Sequence, residues 1–240
     1  MADTTYGSTV EPFERDAAEH GGYQYTTDRL SSRLANARIS DAVLAAASFD
    51  GARVIDIGCG DGTYTREIAS LAHPAKVHGV DPAAAAIDVA RQASRDEELV
   101  SFDVASAYEL PHEADAFDVA ILRGVLHHVD RPGEAIGEAL RVAPTLVVME
   151  PNGLNAGLKL LERFSSYHVE HEERSYAPGR LDIWVDGVGG RVIKRQFVGF
   201  VPMFAPDGYA RFSKRLEPLL EATPGVRRVT CAQYVFTAGR

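Results

Sequence analysis

Residues 54–62, Val-Ile-Asp-Ile-Gly-Cys-Gly-Asp-Gly, constrain what this chain can fold into more than any other stretch. Four strand-favouring positions run into three glycines at alternate places, and residues 63–69 then open a helix. Gly58, Gly60 and Gly62 tolerate positive φ and close backbone approach. The turn can therefore lay bare main chain against a ligand at the carboxyl end of a buried strand. Asp56 stands in the run where an apolar residue would pack better. No Gly-Lys-Ser/Thr follows, as a phosphate-cradling P-loop requires, and the third glycine of the dinucleotide fingerprint is missing at its usual offset. A pyrophosphate ligand is not expected.

The rest of the chain reads as alternating strands and helices. Residues 76–82 form a second strand that closes on Asp81, at the distance a βαβ unit needs. A carboxylate there can accept from both vicinal hydroxyls of a ribose while also capping the alanine-rich helix that follows. Residues 99–104 and 117–122 give a third and a fourth strand, and the fourth runs into Arg123-Gly124-Val125-Leu126-His127-His128. A helix over 132–141 leads to a fifth strand, 145–150, whose unbroken apolar character suits burial on both faces and which ends in Glu150. Strands at 191–197 and 228–236 flank a helix at 211–222. At the other end, residues up to about 22 are a polar arm. A helical stretch from Thr27 is expected to break at Ser40-Asp41, where a second helix is capped.

The run 54–62 resembles, nearly letter for letter, the first motif of the class I S-adenosylmethionine-dependent methyltransferases, and specific motifs extend the resemblance over about residues 30–150. The resemblance implies an α/β fold: a three-layer Rossmann-like sandwich around a seven-stranded, mostly parallel sheet with an antiparallel last strand. N-terminal helices and an insertion before strand six would act as a lid. Residues 1–240 would be a single domain, with 1–45 the arm and lid helices and 152–186 the substrate-covering insertion. S-adenosylmethionine would lie along Asp56, Gly58, Cys59 and Gly60, with its ribose on Asp81 and its adenine at Ser106 and Ala107. Pro82 and Arg123 complete the implied cofactor set. One departure concerns Ser106, which stands ahead of Leu110-Pro111 where the family places an acid. A hydroxyl there accepts more weakly than a carboxylate.

His127 aligns with the first His of a Leu-His-His pattern that serves as general base in several small-molecule O-methyltransferases, and Glu150, at the neighbouring strand end, could fix its tautomer or bind the acceptor. Tyr25, His128, Tyr167, His168, His171, Met203 and Phe204 are candidates for the acceptor pocket, although packing accounts for tyrosines and core aromatics as well. His168 and His171 stand among acids, but they lack the spacing of a fixed ligand pair. No metal is expected.

Composition bounds the function. The 240 residues carry a formal net charge of -9, which opposes a protein that grips a phosphate backbone, so no nucleic-acid partner is expected. Cys59 and Cys231 are too isolated for a disulfide scaffold or a zinc site. With no signal peptide and no apolar run near 18 residues, a cytoplasmic protein without a membrane partner is expected, monomer or homodimer. The resemblance implies methyl transfer to a small-molecule acceptor, with S-adenosylhomocysteine as by-product. O-methylation in specialised metabolism is the first expectation and N- or C-methylation the alternative. A reading of another class is a cofactor-binding scaffold or a non-methylating enzyme.

Overall fold

A computed structural model describes residues 28–164 and 175–240. In chain order its elements are α1 (Leu30–Leu44), β1 (Arg53–Ile57), α2 (Thr63–Leu71), β2 (Lys76–Asp81), α3 (Ala84–Ala93), β3 (Val100–Val104), β4 (Val119–Arg123), α4 (Pro132–Val142), β5 (Thr145–Pro151), α5 (Ala156–Phe164), α6 (Pro178–Gly187), β6 (Arg191–Val198), α7 (Asp207–Ala222), α8 (Arg227–Thr230) and β7 (Gln233–Gly239). The strands form one seven-stranded sheet in the order β3-β2-β1-β4-β5-β7-β6. Strands β1 to β5 pair in parallel, and β7 runs antiparallel to both its neighbours. This is the expected Rossmann-like sheet with its antiparallel last strand.

Alternate side chains of the central strands face opposite sides of the sheet and feed two cores. On one face Ile55, Ile57, Leu122, Val148 and Phe236 meet Ala135, Ile136 and Ala139 of α4 and Leu181 and Val185 of α6. On the other, Val54, Val77, Ile121 and Val147 meet Ile39, Ala42 and Val43 of α1 and Ile68 of α2. Strands β1 and β4 are buried on both faces over most of their length, which accounts for their near-continuous apolar sequence. Pro132 at the first helical position, Glu134 in the first turn and Arg141 in the last suit the α4 backbone and its dipole.

Three expectations need correction. The helix before β1 does not break at Ser40-Asp41 but runs unbroken as α1, because Ser40 Oγ is spent on Glu67 Oε2 rather than on a cap. The last strand begins at Gln233, not at residue 228. Residues 227–230 form the single turn α8, whose backbone oxygens are held by side-chain amides: Asn152 Nδ2 donates to Arg228 O and Cys231 O, and Asn155 Nδ2 to Thr230 O. Finally, residues 178–186 of the expected cover fall within a helix that packs on the core. In α6, Leu181 and Val185 are fully buried, and Trp184 packs over Gly133 of α4.

Candidate functional site

The carboxyl ends of β1, β2, β4 and β5 lie along the same edge of the sheet, and the side chains there are held from behind. After β1 the chain turns through Gly58, Gly60 and Gly62, whose φ angles are 75, 55 and 73°. A Cβ on Gly62 would fall 2.6 Å from Phe102 Cζ, so the turn packs as closely as the sequence implied. Asp56, fully buried, accepts from Thr65 Oγ1 at 2.6 Å and thereby ties β1 to the first turn of α2. Burial raises its pKa above the usual carboxylate range. Its carboxylate supports the turn from beneath. Cys59 is buried too, and burial pushes its thiol well above its ordinary range, which keeps it protonated and inert.

Asp81 closes β2 with both oxygens aimed at backbone: Oδ2 accepts from Gly60 N and Oδ1 from Ala83 N, each at 2.9 Å. Each oxygen keeps a second lone pair for a donor on a ligand. Burial pushes its pKa up to about 6, against the pull of those two hydrogen bonds. Pro82 follows directly, at the entry to α3. Beyond β3, Ser106 Oγ accepts from Tyr108 N at 3.1 Å in a local turn, and Ala107 is buried beside it in the core.

The loop after β4 carries His127 and His128. Glu150, near the end of β5, is fully buried. Its Oε1 accepts from Val125 N and Leu126 N at 2.9 and 2.8 Å, and its Oε2 lies 2.7 Å from His127 Nδ1. Such a carboxylate makes Nδ1 the donor. The His128 ring packs against His127 with centroids 3.8 Å apart. Val125 also seals the loop against the cofactor turn, since a Cβ on Gly58 would meet its Cγ2 at 2.5 Å.

Arg123, the last residue of β4, turns to the opposite side. It donates from Nη1 to Ser40 Oγ at 3.0 Å, and its guanidinium carbon lies 3.4 Å from the centre of the Tyr64 ring. This network of Ser40, Tyr64, Thr65 and Glu67 is not visible in the sequence, because nothing in the spacing of α1 and α2 says which of their polar residues turn inward. Met203 packs into the core with Val201, Ala35 and Ala210, whereas Phe204 is exposed at φ 64° with Arg29 5.8 Å from its ring. Tyr25, Tyr167, His168 and His171 lie outside the described residues. Among the described residues, no three His, Cys, Asp or Glu side chains converge as a metal site, and no helix is long and apolar enough to cross a membrane.

Comparisons with known proteins follow the same outline. A methyltransferase domain family matches residues 55–145. The chain is similar to a ubiquinone biosynthesis O-methyltransferase of Nitrosococcus oceani, 30% identical over 155 residues that cover 58% of this chain and 63% of that protein. It is also similar to the 27-O-demethylrifamycin SV methyltransferase of Amycolatopsis mediterranei, 26% identical over 235 residues, 92% of this chain and 79% of the other. Two further relatives are matched over 35% and 31% of their own length. Among solved structures, the [4+2]-cyclase SpnF superposes with a TM-score of 0.67 at 20% identity, over 98% of this chain and 94% of that one. At that identity the likeness is one of fold.

Proposed function

Since the chain belongs to the class I S-adenosylmethionine-dependent methyltransferases, we propose that it methylates a hydroxyl of a small-molecule acceptor, with His127 as general base. The observation that carries this reading is the buried Glu150–His127 pair on the loop that Val125 presses against the glycine turn. The residues present fit the cofactor: a turn of positive-φ glycines opens beside Asp81, whose buried carboxylate keeps lone pairs for ribose hydroxyls. Ser106 and Ala107, one strand further, are the candidates for the adenine. The names of the two relatives above, an O-methyltransferase and a 27-O-demethylrifamycin SV methyltransferase, favour oxygen as the acceptor atom.

S-adenosylmethionine supplies a methyl group already activated on a sulfonium sulfur. The protein's share is alignment and removal of a proton. An aromatic hydroxyl with a pKa of about 10 is a poor nucleophile near neutrality, and an imidazole accepts its proton with the best match of strength and availability. His127 Nε2 takes that proton, and the Glu150 carboxylate on the other nitrogen steadies the imidazolium that results. His128, Met203 and Phe204, with Tyr25, Tyr167, His168 and His171, are the candidates for acceptor contacts.

Incubating the protein with S-adenosylmethionine and a metabolite extract, and following new masses, identifies the acceptor. Products without an added methyl group would favour a non-methylating enzyme. His127→Ala should lower turnover by about a hundredfold to ten-thousandfold while leaving S-adenosylhomocysteine affinity unchanged. Full turnover of that variant from about pH 6 to 9 would rule His127 out as the base.

A further inference from the structure

Helix α7 turns an apolar row to solvent that methyl transfer does not use. Its inner face is made by Ala210, Ser213 and Glu217, which are buried. Tyr209, Phe212, Leu216 and Leu219 recur at intervals of three and four residues, so they share another face of the helix. Tyr209, Phe212 and Leu219 are 52, 57 and 66% exposed. Val229, on the neighbouring turn α8, adds a further exposed side chain. Apolar residues exposed singly are ordinary, whereas an aligned row of them marks a contact surface.

The charges beside the row indicate its partner. Arg215 lies within one turn of both Phe212 and Leu219 on the helix surface, Arg211 stands one turn before it, and Arg227 and Arg228 precede Val229; all four arginines are exposed. Among the described residues no carboxylate pairs with any of them. The acids in the second half of the helix are spent inward: Glu217 accepts from Phe200 N and Lys214 Nζ, and Glu221 from Gly199 N and Arg38 Nη2. The face is therefore basic within a chain whose formal net charge is -9. A second copy of this chain suits it poorly, because a two-fold axis through the row would bring these arginines against their own kind.

We propose that α7 and α8 dock the protein on an anionic lipid bilayer, with Phe212 and Leu219 at the boundary of headgroups and acyl chains and the arginines on the anionic headgroups. An interfacial helix lies in the membrane plane and needs no spanning run, so the expectation of no membrane partner, which rested on the lack of such a run, does not apply to it.

Vesicle flotation with the full chain tests this. Liposomes of phosphatidylcholine with roughly one third phosphatidylserine should carry the protein upward, and phosphatidylcholine alone should not. Salt at about 1 M should release it. Arg211→Glu with Arg215→Glu should weaken binding by about tenfold or more, and Phe212→Ser with Leu219→Ser should weaken it even at low salt. These side chains are exposed, so melting temperature should stay unchanged in both double variants. No binding to anionic vesicles, equal binding to neutral ones, or binding that both double variants keep would overturn the proposal. So would a wild-type dimer, seen by light scattering without vesicles, that Phe212→Ser with Leu219→Ser dissociates, since the face would then belong to a second copy.

Discussion

Asp81 is a carboxylate whose burial and whose proposed ligand pull in opposite directions. Burial pushes its pKa up to about 6, with Asp56 and Asp61 adding to the rise while the amides of Ala83 and Gly60 oppose it. A raised acid contributes stability below its unfolded pKa of about 3.9, and that contribution is lost as pH climbs through about 6. Ribose hydroxyls favour the ionised form, so binding should expel a proton wherever Asp81 is still protonated. Affinity for S-adenosylhomocysteine should be flat above about pH 7 and fall by up to tenfold per unit below about 6. Calorimetry in buffers of different ionisation enthalpy should register the proton, and a flat affinity down to about pH 5 would move the ribose elsewhere. Glu150 calls for a different measurement. Glu150→Gln keeps the shape but can turn an amide N–H toward His127 Nδ1, reversing the tautomer. Turnover should then fall by about a hundredfold or more, with S-adenosylhomocysteine affinity unchanged and an altered pH–rate profile. A loss of turnover with an unaltered profile would make Glu150 a support for the loop alone. Asp81, His127 and Glu150 can be named from the chain because each ends or follows an apolar strand, where a polar residue has a reason to be. Ser40 and Thr65 cannot, since a serine or threonine inside a helix looks the same facing solvent or core.

The β1 turn and the β4 loop act as one unit through Gly58 and Val125. At φ 75° Gly58 occupies left-handed backbone, and an added Cβ would stand 2.5 Å from Val125 Cγ2. Gly58→Ala therefore meets about 1–2 kcal/mol of backbone strain and must also displace the loop that carries His127. Melting temperature, ligand affinity and turnover should all drop. Val125→Ala makes room but leaves the backbone strain, so the double variant should recover part of the loss. Strict additivity in that cycle would show that the two residues do not communicate. The turn is legible in the sequence because glycines at alternate places after an apolar strand suit little besides a tight bend into a helix. Helix α6 is less so. Residues 178–186 read as part of a cover because Trp184 and Leu181 find their partners on α4, far away in sequence, and only tertiary packing separates a core helix from a lid helix.

For the molecule as a whole, acid should be damaging, against the stabilising direction of Asp81. His78 on β2 and His112, in the segment before β4, pack edge to face with centroids 5.0 Å apart and with Phe117 beside them. Burial lowers the pKa of each. The His78 shift is reinforced by His112 and opposed by Asp103, while His112 feels Asp103 in the opposite sense and Arg141 in the same one. The unfolded chain thus takes up these protons first, and the stability that the neutral pair contributes above about pH 6.5 is lost as pH falls. Thermal melts from about pH 8 to 5 should show a declining acid limb, and replacing both histidines by glutamine should flatten it. An unchanged limb would place the acid sensitivity elsewhere. The sheet order itself is legible as far as β5, where each strand adds beside an earlier one or across β1, as parallel crossovers allow. β7 breaks that rhythm: it enters between β5 and β6 and pairs with both along its length. On a ribosome this reverses the expected timetable. β6 leaves the exit tunnel before the strand that must join it to the sheet, and it has to wait, edges bare, while α7 and α8 are made. A chaperone that shelters unpaired strands would engage this protein there, after the glycine turn has already closed.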